Sequence, residues 1–534
     1  MGTPAGGRIE GKRRAVWPFG LVTAGFAVVT ALAALRVALP GWAHPMTGMV
    51  SGGSHGRLHG GLWAVALFVL AHGLLRRRRI AYWATLAVAG CGVLLAGRSA
   101  LAVLLVAGGV ALAVRRLGFP AVPRPARVRS AGAFSLAVMT TGGLFDVAVR
   151  GHAGLRVDLA SLVLLSVSGA FVVLLAPAPA PAPADARTRA RVRELVRHPA
   201  ADTLAPFVLR HDKSYVFSRD GRAALGYRVL LGVAVVGGDP VGEPAAFRDV
   251  VDEFVRVCGR AGWRVAVLAV REDLAPLWRR HGLRTVGIGD EVLLDVESFG
   301  LDGRDMRNVR QARQRTHNLG VTTTVVREGE LADTLRAELT GLSARWRGRV
   351  PERGFSMILD GLLTGRHPDC LLVIARDRTG RPVGFQRYVP CGDALSLDTM
   401  RRDRDGPNGL NERMIVDLVT HARARGVRVI SLNFAAFRAL IDAGDDRGVW
   451  ERTGYRALHL LDPFIRVESL YLFNAKFKPG FQPRGVAFPS WFSVPVVAAA
   501  MVGLEFGLAY DRRRHGPARS TAGSARSAML RNAG

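Results

Sequence analysis

Six apolar runs in the first third of the chain constrain its fold more than any other feature. They fall at about 16–39, 59–75, 80–97, 99–114, 131–149 and 159–176, several near the ~20 residues that a helix needs to cross a bilayer. Arginine clusters punctuate them unevenly. Lys12, Arg13 and Arg14 precede the first run and residues 76–79 separate the second from the third. Arg115, Arg116, Arg124, Arg127 and Arg129 separate the fourth from the fifth, and the arginines of 187–197 follow the sixth. The alternate intervals carry only Arg57, Arg98, Arg150 and Arg156. By the positive-inside rule the N-terminus and everything after the sixth run are expected in the cytoplasm. The first run is long and lacks a small-residue cleavage site, so it does not read as a removable signal. The expectation is an α-helical membrane domain of about six spans over 1–176. His55, His59 and His72 have no carboxylate near them in sequence and read as packing or interfacial residues; Asp146 and Asp158 are expected to face a cavity or the interface, as charges near spans usually do.

Residues 176–184, APAPAPAPA, form a stiff extended linker within a segment of 177–200. The basic stretch RTRARVRELVRH behind it is expected against anionic headgroups, each charge contributing about 1 kcal/mol. Strand and helix patterns then alternate: strands at 215–218, 223–229, 233–236, 265–270 and 291–296, helices at 245–261 and 274–281. A basic helix over 304–315, a helix at 330–345 and strands at 370–376 and 384–390 continue the series. Next come a strand at 394–400, a polar loop, and a helix carrying Leu410, Met414, Ile415, Leu418 and Val419 on one face. Gly426 closes that helix before a strand at 427–432. Two α/β units, 201–320 and 321–490, each a mixed sheet with flanking helices, account for the pattern. In the last segment, 491–534, an apolar stretch holding Pro495 and Glu505 reads as a docked helix, and the tail from 516 as disordered.

The net charge of +30 is almost wholly arginine, against which four lysines stand out: Lys12, Lys213, Lys476 and Lys478. A lysine in such a chain marks a place where a compact ammonium serves and a planar guanidinium does not. Cys91, Cys258, Cys370 and Cys391 have no metal or redox spacing, so neither zinc nor disulfides are expected. Residues 284–289 carry the letters R-x-x-G-x-G of an acetyl-coenzyme A loop, but a helix precedes them and a strand follows. At the strand–helix junction of 400–411 the glycines are Gly406 and Gly409 alone, which points to an acyl donor other than acetyl-coenzyme A.

Three segments, RRDRDGPNGLNERMI, SLNFAAFR and ESLYLFNAKFKPGFQPR, resemble signature stretches of the phosphatidylglycerol lysyltransferase family. GDPVGEP at 238–244, DMRNVRQARQR at 305–315 and ERGFSM at 352–357 support the resemblance, which covers about 205–490. It implies two tandem GNAT-like folds behind a membrane domain. It also implies transfer of an amino acid, lysine by family default, from aminoacyl-tRNA to the glycerol hydroxyl of phosphatidylglycerol, with no cofactor. With about six spans, the larger block associated with lipid flipping is expected to be absent, as is a fused lysyl-tRNA synthetase domain.

Such a reaction needs a proton acceptor, donors for an oxyanion, and carboxylates for the aminoacyl ammonium. No Ser-His-Asp or Cys-His constellation is visible. Asp398, Asp403, Glu412 and Glu468 are the candidate acids, with Glu468 or Asp403 for the amino group. Asn433, Asn408, Asn411 and Asn474 can donate amide hydrogens, and Ser431 accompanies Asn433 in an otherwise apolar strand. Arg401, Arg402, Arg438, Lys476 and Lys478 suit phosphates of the donor's CCA end or the lipid head, and Tyr471, Phe473 and Phe477 suit stacking on the terminal adenine. Arg307, Arg310 and Arg313 are the tRNA candidates. Each has a plainer reading: Asn408 and Asn411 as helix caps, Asp403 in a surface ion pair, the aromatics as core, the arginines as a solvated face. A cell-wall precursor as acceptor, or a non-catalytic tRNA- or lipid-binding protein, are the competing functions. Neither the amino acid nor the oligomeric state is legible.

Overall fold

The computed structural model describes residues 17–34, 56–75, 78–96, 100–113, 125–148, 159–198, 202–348, 354, 357–436 and 472–505. Six helices form where the apolar runs predict them: α1 (Trp17–Ala34), α2 (Gly56–Leu75), α3 (Arg79–Ala96), α4 (Ala100–Ala113), α5 (Pro125–Ala148) and α6 (Leu159–Leu175). Leu74, Ala81, Tyr82, Leu112 and Leu175 bury one another at their contacts. Among the described residues no helix is long and apolar enough to cross a membrane. The 14 residues of α4, for example, reach only about 21 Å against a hydrocarbon core of about 30 Å.

The chain divides into two compact units. The first joins residues 1–184 to 214–287 and 485–491. In its α/β part β1 (Ser214–Phe217) pairs antiparallel with β2 (Ala223–Leu230), and β2 with β3 (Val233–Gly237) and β4 (Val241–Gly242). β5 (Arg264–Arg271) lies parallel to β3. The helix α8 (Phe247–Ala261) buries Phe247, Val250, Val251 and Phe254, as its 3–4 spacing predicts, and ends on Gly262 at φ +69°. α9 (Ala275–Arg279) adds Trp278, fully buried.

The Pro/Ala stretch does not hang free of this unit. Ala178 donates its N–H to Ala261 O at 2.9 Å and accepts from the Trp263 indole at 2.8 Å. Ser214 Oγ donates to Ala182 O at 2.9 Å. A polyproline-like segment has no internal hydrogen bonds, so its carbonyls are available to neighbours in this way.

The second unit comprises residues 185–213, 288–484 and 492–534. It opens with α7 (Ala186–Val196), N-capped by Asp185, whose Val192 and Val196 are buried. Its strand order is β6 (Arg284–Asp295), β11 (Val429–Ala436), β10 (Ala394–Arg402), β9 (Pro382–Cys391), β8 (Leu371–Arg376), β7 (Thr322–Arg327). All neighbours are antiparallel except β10 and β11, which are parallel. Three helices pack here: α10 (Arg307–Asn318), α11 (Asp333–Arg347) and α12 (Leu410–Arg423). One core lies between α10, α12 and one sheet face, with Val309, Leu395, Leu397, Met414, Leu418, Ile430 and Leu432; a second includes Leu339, Leu342 and Phe385. β12 (Gly480–Phe488) and α13 (Val494–Glu505) complete the described chain.

β7 and β12 are elements that sequence periodicity misses. β7 is an edge strand with a half-exposed pattern, TTTVVR, and β12 carries Pro483 and Arg484 in its middle. The letters R-x-x-G-x-G are the first half of β6, an extended strand rather than a loop opening a helix.

Candidate active site

The site is built where the parallel pair at the centre of the second unit parts. β10 and β11 pair for three residues, Ala394↔Val429, Leu395↔Ile430 and Ser396↔Ser431. Beyond that level each strand slips against its outer neighbour. On β10, Leu397 faces Tyr388 and Thr399 faces Arg387, so Asp398 is an extra residue. On β11, Ser431 faces Leu293 and Phe434 faces Glu291, so two residues oppose one, and Asn433 adopts a left-handed conformation at φ +69°. Two bulges on adjacent strands thus coincide with the end of their ladder, and such bulges bend a strand and re-aim its side chains.

The two bulge residues hold one loop between them. Asn433 Nδ2 donates to Leu397 O at 2.9 Å and to Met357 O at 2.7 Å, while its Oδ1 accepts from Phe434 N at 2.8 Å. Asp398 accepts from Leu359 N at 2.6 Å. The amide of Asn433 is therefore committed to the backbone, and the left-handed conformation is one that asparagine tolerates better than most residues.

Asp398 also belongs to a buried charge row. Arg387 Nε meets Glu328 Oε2 at 2.7 Å and its NH1 meets Asp398 Oδ2 at 3.1 Å, with all three side chains 0–1% exposed. Burial pushes the Asp398 carboxyl up, against the pull of the Arg387 guanidinium and the Leu359 amide. A second buried cluster lies beside it. Arg484 forks onto Asp202 through two 2.7 Å bonds and pairs with Glu291, whose other oxygen takes hydroxyl donors Thr203 and Ser431, the latter at 2.5 Å. Neither Arg387 nor Glu291 was a candidate from sequence, although each is a charge in an apolar strand, the signal that singled out Asn433.

Next to the parting strands stands the N-terminus of α12. Its cap is Gly409 at φ +96°, with no side-chain hydrogen bond, so neither Asn408 nor Asn411 caps the helix. A Cβ on Gly409 would stand 2.8 Å from that of Ala312, which fixes how closely α10 approaches. Asn408 is exposed; the Asn411 carbonyl accepts from Gln386 Nε2 at 3.2 Å. Glu412, in the first turn, pairs with Lys476 at 3.0 Å and joins segment 472–478 to the helix. Lys476 also lies 5.4 Å from the Phe473 ring centre, and Phe473 and Phe477 meet edge to face at 5.5 Å. Phe477 is core, and Asn474 is buried beside it. Among the described residues, Asn474 Nδ2 and Asn411 Oδ1 are buried atoms with no hydrogen-bond partner.

The remaining candidate cations differ in what they touch. Arg401 stacks over Trp346 at 4.1 Å and Arg402 ends β10. Asp403 takes Arg381 at 3.4 Å and Arg345 at 3.8 Å, the ion-pair arrangement of its plainer reading. Lys478 pairs with Asp305. On α10, Arg307 is exposed, Arg313 sits 3.8 Å from Asp417, and Arg310 turns back onto Leu301 O and Gly303 O. Arg310 thus secures a loop. Arg438, Glu468 and Tyr471 lie outside the described residues.

A mixed sheet with a parting parallel pair, a helix N-terminus at the gap and cations around it is an architecture suited to acyl transfer between two bound substrates. The comparisons agree with that class. The family profile for the C-terminal part of phosphatidylglycerol lysyltransferase matches residues 192–488, more than half of the chain. The chain belongs to the phosphatidylglycerol lysyltransferase family. An MprF-like domain protein of Mycobacterium tuberculosis is 42% identical over 329 residues, 60% of this chain and 67% of that one. The lysylphosphatidylglycerol biosynthesis bifunctional protein LysX of Gordonia bronchialis is 40% identical over 308 residues, 56% of this chain but 27% of that protein. The crystal structure of the C-terminal domain of a putative lysylphosphatidylglycerol synthetase from Agrobacterium fabrum superposes with a TM-score of 0.54 at 24% identity, covering 60% of this chain and 98% of that domain. That likeness shows a shared fold.

Proposed function

We propose that this chain transfers an amino acid, lysine by family resemblance, from aminoacyl-tRNA to a glycerol hydroxyl of phosphatidylglycerol at the cytoplasmic leaflet. The observation that carries the reading is the gap opened by the paired bulges at Asp398 and Asn433 beside the N-terminus of α12. Past Ser396 the inner edge of β10 is no longer laddered to β11; the Leu397 carbonyl is taken by Asn433 Nδ2, and the backbone beyond it can pair with an extended acyl segment, as an open edge does. The free N–H groups of the first turn of α12 favour the oxyanion that forms when the lipid hydroxyl oxygen attacks the ester carbonyl. As that intermediate collapses, the ester bond to the terminal ribose breaks, and the proton given up by the lipid hydroxyl ends on the ribose oxygen.

Glu412 is the candidate acid that stands at this helix end, with Lys476 3.0 Å away. Arg401, Arg402 and Lys476 supply cations at the same junction for substrate phosphates, and the exposed Arg307 extends the charge along α10. The apolar runs of the first third and the uneven arginine clusters between them, read from the sequence, support a membrane-bound location with the second unit in the cytoplasm. The test is reconstitution of the full chain with lysyl-tRNA and phosphatidylglycerol vesicles. Label passing from tRNA to lipid is expected, and its loss after ribonuclease treatment of the tRNA; no transfer with a folded protein would refute the reading.

A further inference from the structure

The left-handed turn at Asn433 needs support, because its φ of +69° is sparsely populated outside glycine. Its own side chain supplies part, through Leu397 O and Met357 O. The rest comes from behind the strand. The N–H of Asn433 donates to Ser431 Oγ at 3.1 Å, and Ser431 Oγ donates in turn to Glu291 Oε1 at 2.5 Å. Glu291 is fully buried and fixed on its other side by Arg484, itself 0% exposed and forked onto Asp202. Residues far apart in sequence, Asp202, Glu291, Ser431 and Arg484, thus form one continuous bonded chain that ends on the backbone of the bulge.

We propose that Glu291 is a positioning residue for acyl transfer: through Ser431 it holds the bulge at Asn433 that parts β11 from β10. The inference rests on the proposed reaction for its kinetic consequence, not for its structural one. A carboxylate suits the role because it only accepts. It therefore sets the Ser431 hydroxyl to donate away from Asn433, leaving an oxygen lone pair for the Asn433 N–H. Glutamine at 291 would turn its oxygen to Arg484 and present an N–H to Ser431, reversing that direction. Thr203 touches the same carboxylate oxygen but has no bond to the bulge, so it separates this role from simple packing of the cluster.

The experiment compares Glu291→Gln, Ser431→Ala, Ser431→Thr and Thr203→Val in the full chain, by amide hydrogen exchange and by steady-state transfer from lysyl-tRNA to phosphatidylglycerol. Glu291→Gln and Ser431→Ala are expected to speed exchange at the Asn433 amide at least about tenfold and to lower kcat by about 10- to 100-fold, with KM for tRNA unchanged. Their double variant should be no worse than either alone, since both cut one chain. Ser431→Thr should restore both readouts, and Thr203→Val should leave both near wild type. Wild-type exchange at Asn433 in folded Ser431→Ala, additive losses in the double variant, or an equal loss in Thr203→Val would overturn the proposal. A wild-type protein that transfers nothing would refute the reaction instead, and the exchange measurement would still decide the positioning role.

Discussion

Replacing Arg387 by methionine tests the buried charge row at the base of the site. The substitution keeps an unbranched apolar side chain of similar reach and removes the cation that sits 2.7 Å from Glu328 and 3.1 Å from Asp398. At an effective dielectric of about 20, each contact at about 3 Å is worth about 5 kcal/mol of attraction, most of which offsets desolvation. What remains after Arg387→Met is two carboxylates in a fully buried place with no cation between them. Breaking such a group costs about 3–5 kcal/mol, a fall in Tm of roughly 6–20 °C for a unit of this size. The pH dependence has a definite sign. Burial already raises the Asp398 carboxyl, and without the opposing guanidinium it would rise further, so the folded variant would bind more protons than the unfolded chain. Its stability therefore falls as pH rises through that interval, and the deficit against wild type should be larger at pH 8 than at pH 5. Thermal melts of the full chain in detergent across that range measure it. A variant within about 1 kcal/mol of wild type at pH 8, or a deficit that grows on acidification, would refute the argument.

Two further perturbations follow from single positions. Gly409→Ala places a Cβ 2.8 Å from that of Ala312 at φ +96°, and the left-handed strain with overpacking should cost about 2–4 kcal/mol, read as a lower Tm with reduced transfer. An unchanged melt would mean that α10 does not rest on the cap of α12. Burial pulls the Lys213 ammonium down to about 7, with Asp212 opposing the fall, and its Nζ donates to Phe207 O at 3.0 Å. Because the unfolded chain binds that proton up to about 10.5, the cost of burying it is full below pH 7 and is relieved as pH rises towards 10.5. Lys213→Met should accordingly be more stable than wild type at pH 7 by up to about 4 kcal/mol, less the lost hydrogen bond, with the advantage shrinking towards pH 10.5. Parallel curves of Tm against pH for the two proteins would contradict the assignment.

The elements of the site were legible because each has a strong local signal. The expected strand at 394–400 is β10 (Ala394–Arg402), and the apolar face of Leu410, Met414, Ile415, Leu418 and Val419 is the buried face of α12. The bulges were not legible, since an extra residue on a strand is defined only by register against its partners. Asn433 drew attention as a polar residue in an apolar strand, and its signal was real, but the hydrogen bonds that explain it reach Met357 and Leu397, distant in sequence. Arg387 and Glu291 carry the same signal, but a charge on a strand ordinarily faces water. Here both strand faces are covered, and the charges pair with one another. Arg310, expected to contact tRNA, bonds the carbonyls of Leu301 and Gly303, which a charge run cannot reveal. Lys213, one of the four lysines, is fully buried, which its rarity in the sequence does not reveal.

The most direct test of the central claim is mass spectrometry of total lipids from a host that makes phosphatidylglycerol, with and without expression of this chain. The account predicts a new species heavier than phosphatidylglycerol by one aminoacyl residue, its mass naming the amino acid, and its decrease in the Gly409→Ala variant at equal protein level. An unchanged lipid profile, with the protein folded and recovered in the membrane fraction, would contradict it.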